Sequence, residues 1–158
     1  MTMDITNRIT TFLQHLGIKI QFSPLNETTF LPGLLIRQGE LIVDLDKLMY
    51  PGDLLHEAGH IAVTAPDERS KLTGDVHKCG HGPGEEMAAI AWSWAAHLTL
   101  DISANVLFHP DGYKGASQHY IEVFERGQGF GIPLLVYWGL TQSPDQSGGY
   151  PVMSKWLR

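Results

Sequence analysis

Five consecutive residues, His56-Glu57-Ala58-Gly59-His60, carry the densest concentration of chemistry in the chain. On a helix, positions i and i+4 share one face, with about 5–6 Å between their Cβ atoms. His56 and His60 can therefore turn imidazole nitrogens toward one cation while Glu57 lies beside it, the arrangement of metal-assisted hydrolysis. Zinc accepts neutral imidazole and prefers four ligands, so a catalytic centre needs a third protein ligand and one position left for water. Glu57 is placed to take the proton of that water as general base and to return it to a departing amine as general acid. His-Glu-x-x-His arises by chance in roughly two in a hundred chains of this size and composition, so its setting matters. Leu54, Leu55, Ala58, Ile61 and Ala62 supply one, spaced as the buried stripe of a helix.

The third ligand is expected from the alanine-rich stretch 85–98, the strongest helix pattern in the chain. Glu85 and Glu86 open it, where acidic side chains suit the helix dipole. Its alanines allow close packing on the motif helix, which would bring a first-turn glutamate to the two histidines. Both glutamates have alanine three residues on, so local spacing leaves open which one is the ligand and which only complements the dipole. A third histidine of the metzincin kind would need Gly at 63 and His at 66, where Val63 and Pro66 stand. Asp67 is close in sequence but lies beyond the break that Pro66 imposes.

The surrounding elements must hold these groups. The pattern predicts a first helix over residues 5–16 capped by Asp4 and ended by Gly17, a strand over 18–22, and a hairpin over 33–44 turning at Gln38-Gly39. One strand of this hairpin, or the strand before it, is a candidate edge for binding an extended peptide. Asp53 is the expected N-cap of the motif helix, which should end near Thr64. Residues 66–84 read as a long loop, and its His77-Lys78-Cys79-Gly80-His81 suggests a second metal site whose spacing fits no zinc-finger pattern. Further on, Ser117 should cap a helix running to Arg126, and 132–140 should be a buried segment. His97 falls too far along its helix from Glu86 to share a metal and reads as a core residue. Tyr113, His119 and Tyr120 are the candidates for stabilising an oxyanion. Trp138 and Trp156 are candidates for an oligomer contact.

With 158 residues the chain is expected to form a single domain, 1–158, large enough for a core without disulfides. A net charge of −6 and no basic cluster argue against nucleic acid as a partner. The single cysteine, Cys79, suits a reducing compartment. No apolar run approaches the ~20 residues of a membrane span, and the N-terminal residues lack a secretory pattern. A cytoplasmic protein without a membrane partner is the expectation.

The order of helix, strands, His-Glu-x-x-His helix, loop and Glu-x-x-Ala-x-x-aromatic-small helix, over roughly residues 18–98, resembles the ImmA/IrrE-type metallopeptidases, a compact branch of the zincins. In that family the second helix carries a ligand Glu, then Ala, Phe and Ala at the third, sixth and seventh positions after it. Glu86, Ala89, Trp92 and Ser93 match this best, whereas Glu85 would put Ala91 and Trp92 in the last two places. The resemblance implies an α+β, zincin-like domain with a small antiparallel or mixed sheet packed on the motif helix and on a second ligand-bearing helix. It implies zinc held by His56, His60 and Glu86, with Glu57 catalytic, in an endopeptidase acting on a peptide or protein substrate. Family members often cleave a partner repressor. The Leu-Met-Pro that commonly follows the family's second helix is replaced here by Leu98-Thr99-Leu100-Asp101. The alternative expectation is a non-catalytic, metal-bound protein that binds a peptide or regulates a partner; Glu57 favours the enzyme, because metal binding alone needs no base.

Overall fold

Helix α1 (Thr2–Leu16) lays Ile9 and Leu13 into the core and stops at Gly17, whose φ of 102° suits glycine. It belongs to a computed structural model that describes residues 2–158. The helix begins two residues ahead of the expected cap, so Asp4 lies inside the first turn, where its carboxylate meets the positive end of the dipole.

Three short strands follow: β1 (Ile20–Phe22), β2 (Leu34–Arg37) and β3 (Glu40–Val43). They form one mixed sheet in the order β1-β3-β2, with β1 parallel and β2 antiparallel to β3. The hairpin turns at Gln38-Gly39, both at positive φ (51° and 76°), the primed geometry that matches strand twist. Ile36, Leu41 and Val43 are buried. The crossover between β1 and β2 is tied back by Asp44, whose carboxylate accepts from the amides of Leu25 (2.9 Å) and Asp46 (3.0 Å). The edge strands are β1 and β2. Part of the β2 edge is already taken, because the Ile36 carbonyl accepts from Gly74 N at 2.8 Å.

The two helices that matter most are α2 (Asp53–Ala62) and α3 (Pro83–Leu100), packed on each other along a seam of small residues. Ala58, Ala62, Ala88 and Ala89 are fully buried in it. At Gly59 a side-chain methyl would lie 2.7 Å from the Ala89 carbonyl oxygen and 3.1 Å from Ala89 Cα, so only glycine permits this approach. The far end of α2 is covered by Arg158, whose amide and guanidinium donate to the carbonyls of Ala62 (3.0 Å) and Val63 (3.1 Å). Between the helices, the segment 63–82 contains two 3₁₀ turns, Arg69–Lys71 and Val76–Cys79.

Helices α4 (Ala104–Leu107), α5 (Ser117–Glu125) and α6 (Ile132–Tyr137) build a cap of aromatic packing on the first half. Phe108 lies edge-on to Tyr120, and Trp94 stacks on Phe108 and Phe124.

Several expectations are corrected. Gly52, not Asp53, is the N-cap of α2, and the Asp53 carboxylate turns inward to His109 at 2.8 Å. Ser117 does not cap α5 but donates its hydroxyl to the His109 carbonyl at 2.6 Å. Residues 132–140 form a short amphipathic helix and turn: Ile132, Leu135 and Leu140 are buried, while Tyr137 is exposed. Trp156 and Trp138 have partners within the chain. Trp156 lies edge-on to Phe12 and Trp92, and Trp138 lies under the Arg158 guanidinium. Among the described residues, no helix is long and apolar enough to cross a membrane.

Candidate metal centre

The helical period places His56 and His60 one turn apart on α2, with ring centroids 5.2 Å apart and planes only 14° off parallel. The close seam brings the first turn of α3 against them. Glu86 Oε2 lies 2.9 Å from His56 Nε2, and Glu86 Oε1 lies 2.8 Å from His60 Nε2. One ligand atom from each of these three residues lies within 4.8 Å of the other two, which makes the trio a possible cradle for one cation. Glu85 goes elsewhere. Its carboxylate accepts from Gly82 N at 2.7 Å, as the capping group of its own helix. The choice that local spacing left open is thus made by helix rotation.

Behind His60 the hydrogen bonds close into a chain whose proton positions can be worked out. The Thr64 hydroxyl donates to the His60 carbonyl at 2.7 Å. It therefore accepts from His81 Nε2 at 2.8 Å. His81 Nδ1 is then bare and accepts from His60 Nδ1–H, also at 2.8 Å. Burial lowers the pKa of both rings, that of His60 to about 4, so both are neutral. The bare Nε2 of His60 consequently faces a carboxylate oxygen of Glu86. Two lone pairs at that distance repel unless positive charge lies between them. The donor set, two imidazole nitrogens and a carboxylate, is one that zinc takes, so the residues fit such an ion.

His56 shows the same demand for positive charge. Burial opposes its protonation, yet the hydrogen bond and charge of Glu86 outweigh burial and raise its pKa. Burial likewise works against ionisation of Glu86, but His56 and His60 hold its pKa well below the usual carboxylate range. On its outer side, His56 Nδ1 meets the Tyr113 hydroxyl at 3.1 Å, with the two rings stacked at 5.4 Å. Tyr113 and Lys114 both have positive φ (56° and 54°). Each such non-glycine residue costs on the order of 1–2 kcal/mol, a strain found where surrounding structure holds a functional geometry.

Glu57 follows His56 into the same corner. Burial pushes its carboxyl up to about 7, with His56 pulling the other way and Glu86 and Asp53 adding to the rise. Its carboxylate is therefore in electrostatic range of the centre but hydrogen-bonds to none of the histidine nitrogens and glutamate oxygens that converge there.

The structure brings together all four residues expected at the site and places the secondary candidates differently. Tyr113 adjoins the centre, but its hydroxyl engages the outer nitrogen of His56. Tyr120 is packed among Phe108, Tyr113 and Phe130, and His119 is exposed. The loop 77–81 does not make a second metal site. His81 backs His60, His77 Nε2 comes to 3.7 Å from Glu86 Oε1, and Cys79 Sγ donates to the carbonyls of Thr73 and Asp75. Those histidines were visible in the sequence as metal-type residues; what could have pointed them to the first centre is that they immediately precede the helix carrying Glu86. His97 is buried, with Nδ1 at 2.5 Å from the Trp94 carbonyl, in keeping with a core role. Comparison with known proteins found no matching family model, curated protein or solved structure.

Proposed function

We propose that the chain is a zinc-dependent endopeptidase on a zincin-like scaffold, with His56, His60 and Glu86 as metal ligands and Glu57 as catalytic base. The observation that carries this reading is the convergence of His56, His60 and Glu86, with one ligand atom from each within 4.8 Å of the others. Glu57 lies half-buried next to His56 on the same helix, where hydrolysis needs a base and metal storage does not. A zinc ion in this cradle supplies Lewis acidity toward a peptide carbonyl and brings the acidity of water toward neutrality. The chain's own groups then divide the work. Tyr113 and His81 fix the ring orientations of His56 and His60 from outside. Glu57 accepts the proton of the attacking water and returns it to the departing amine. The resemblance to ImmA/IrrE-type metallopeptidases supports a peptide or protein substrate inside the cell, and the β1 edge is free to align an extended chain.

The second reading, a metal-bound protein without catalysis, is favoured by one observation: His77 lies at 3.7 Å from Glu86, able to fill the position a catalytic centre leaves for water. Two measurements separate the readings. Purified protein should hold about one zinc per chain, lost in His60→Ala, and protein with no affinity for zinc would remove both. Glu57→Gln should keep the metal and abolish cleavage of a denatured casein substrate. Cleavage that survives in this variant takes Glu57 out of the mechanism.

A further inference from the structure

We infer that His77 is a fourth, displaceable ligand that closes the His56–His60–Glu86 centre at rest, because its Nε2 stands at the edge of that donor set with its Nδ1 anchored from behind. This rests on the reading of the centre as metal-binding, and it goes beyond it by naming how access is controlled.

Distance is the first support. With zinc–ligand bonds of about 2.0–2.1 Å, neighbouring donors in a tetrahedral site lie about 3.3 Å apart. His77 Nε2 is 3.7 Å from Glu86 Oε1 but stands outside the group of donors that all lie within 4.8 Å of one another, so it joins the set by an inward swing of the turn that carries it. Orientation is the second. His77 Nδ1 lies 3.3 Å from the His81 carbonyl oxygen, a group that can only accept, so Nδ1 donates there and Nε2 is the nitrogen turned toward Glu86. An imidazole whose outer N–H is held by a backbone carbonyl is the usual form of a metal-ligating histidine. His56 and His60 are arranged alike: each keeps Nδ1 on a protein partner and turns Nε2 toward Glu86. His81 serves two of the three, its side chain backing His60 and its carbonyl backing His77.

Displaceability follows from where each ring is mounted. The His60 side chain is 1% exposed in the α2–α3 seam, whereas that of His77 is 55% exposed. His77 sits on the 3₁₀ turn Val76–Cys79, which the Asp75 carboxylate holds through the His77 amide at 3.0 Å and which ends at Gly80 with φ 98°. His60 is thus fixed by core packing, His56 and Glu86 are partly covered on α2 and α3, and the fourth ligand hangs on a short surface turn. An incoming carbonyl or hydroxamate oxygen competes with His77 alone. The open and closed forms of one centre then correspond to the catalytic and non-catalytic readings.

The test uses the full chain, wild type and His77→Ala, stripped of metal and reloaded with cobalt(II), whose visible bands report coordination. His60→Ala serves as the metal-site control. Zinc affinity is measured by competition with a chelator, and acetohydroxamate probes the open position. The inference expects one metal per chain in both proteins, zinc affinity about tenfold weaker in His77→Ala, shifted cobalt bands, and hydroxamate binding at least about tenfold tighter in the variant. If His77→Ala matches wild type in zinc affinity, cobalt spectrum and hydroxamate affinity while His60→Ala loses the metal, His77 is no ligand and the three-residue centre stands. If wild type takes up neither zinc nor cobalt, the reading of the centre itself falls, and this inference with it. Circular dichroism of the metal-free proteins confirms that the exposed substitution leaves the fold intact.

Discussion

Helix α2 carries two histidine–carboxylate groupings that differ in almost everything except their chemistry. At its start, Asp53 pairs one-to-one with His109 at 2.8 Å, both side chains are buried, and the Tyr50 ring lies flat on His109 at 3.8 Å and 3°. One and two turns on, His56 and His60 share the single carboxylate of Glu86, whose side chain remains 29% exposed. In the first grouping one ring nitrogen meets one carboxylate oxygen, with Asp53 Oδ2 and His109 Nδ1 left buried and unpartnered, and the pair works as a clasp between α2 and the loop that follows α4. In the second, two ring nitrogens and two oxygens converge, and the proton positions leave a bare nitrogen against a carboxylate oxygen. Ligand capacity therefore depends on convergence and access, and not on the presence of His beside Asp or Glu.

The contrast is sharpest for metal affinity. Glu86→Gln removes the charge that gathers both rings and should weaken zinc binding by about 100-fold or more. Asp53→Asn leaves His56, His60 and Glu86 in place and should keep affinity within about threefold of wild type. Competition titrations on the two variants check this, and equal losses in both would erase the distinction between clasp and centre.

Much of the centre was legible because helical periodicity is local. The i, i+4 histidines, the intervening Glu57 and the small-residue stretch of α3 needed only the 3.6-residue repeat, and the three strands followed from alternation and the Gln38-Gly39 turn, whereas the parallel pairing of β1 with β3 that makes the sheet mixed was not legible there. The choice between Glu85 and Glu86 was not local, because it depends on how α3 is rotated about its axis when its alanines meet α2. The same holds for Asp53, whose position before an apolar run matches an N-cap and whose actual partner, His109, lies 56 residues away. His81 and Tyr113 were named from the sequence, but for other roles. Nothing in their flanking residues says that one will back His60 and the other His56, because both contacts are made by loops folded over the α2–α3 pair.

Gly59 tests how tightly the centre depends on that pair. In a helix interior, Gly→Ala ordinarily gains up to about 1 kcal/mol. Here the added methyl would lie 2.7 Å from the Ala89 carbonyl oxygen, and overpacking of that kind costs about 1–3 kcal/mol. The steric cost should win, so Gly59→Ala is expected to unfold at lower denaturant concentration. Because Ala89 lies one turn after Glu86, zinc affinity should also fall, by about tenfold. A variant that is more stable and binds zinc normally would show that the seam can open without disturbing the ligands.

The smallest expected effect concerns the clasp and depends on pH. Asp53→Ala leaves His109 Nε2 without its buried acceptor, a loss of about 1–3 kcal/mol. Asp53→Asn keeps an oxygen for that hydrogen bond and removes only the charge. Burial raises the Asp53 pKa, and the bond to His109 offsets this only in part. A carboxyl whose pKa is raised on folding weakens the folded state once pH passes its unfolded value near 4 and it is forced toward the charged form. Relative to Asp53→Asn, the wild type should therefore lose ground as pH climbs from below 4 through the carboxylate range, with no such trend below it. Urea unfolding of both proteins across that range measures the difference. If the wild type instead gains on Asp53→Asn as pH rises, the charged Asp53–His109 pair stabilises the fold and the clasp is held by its ion pair and not by a hydrogen bond alone.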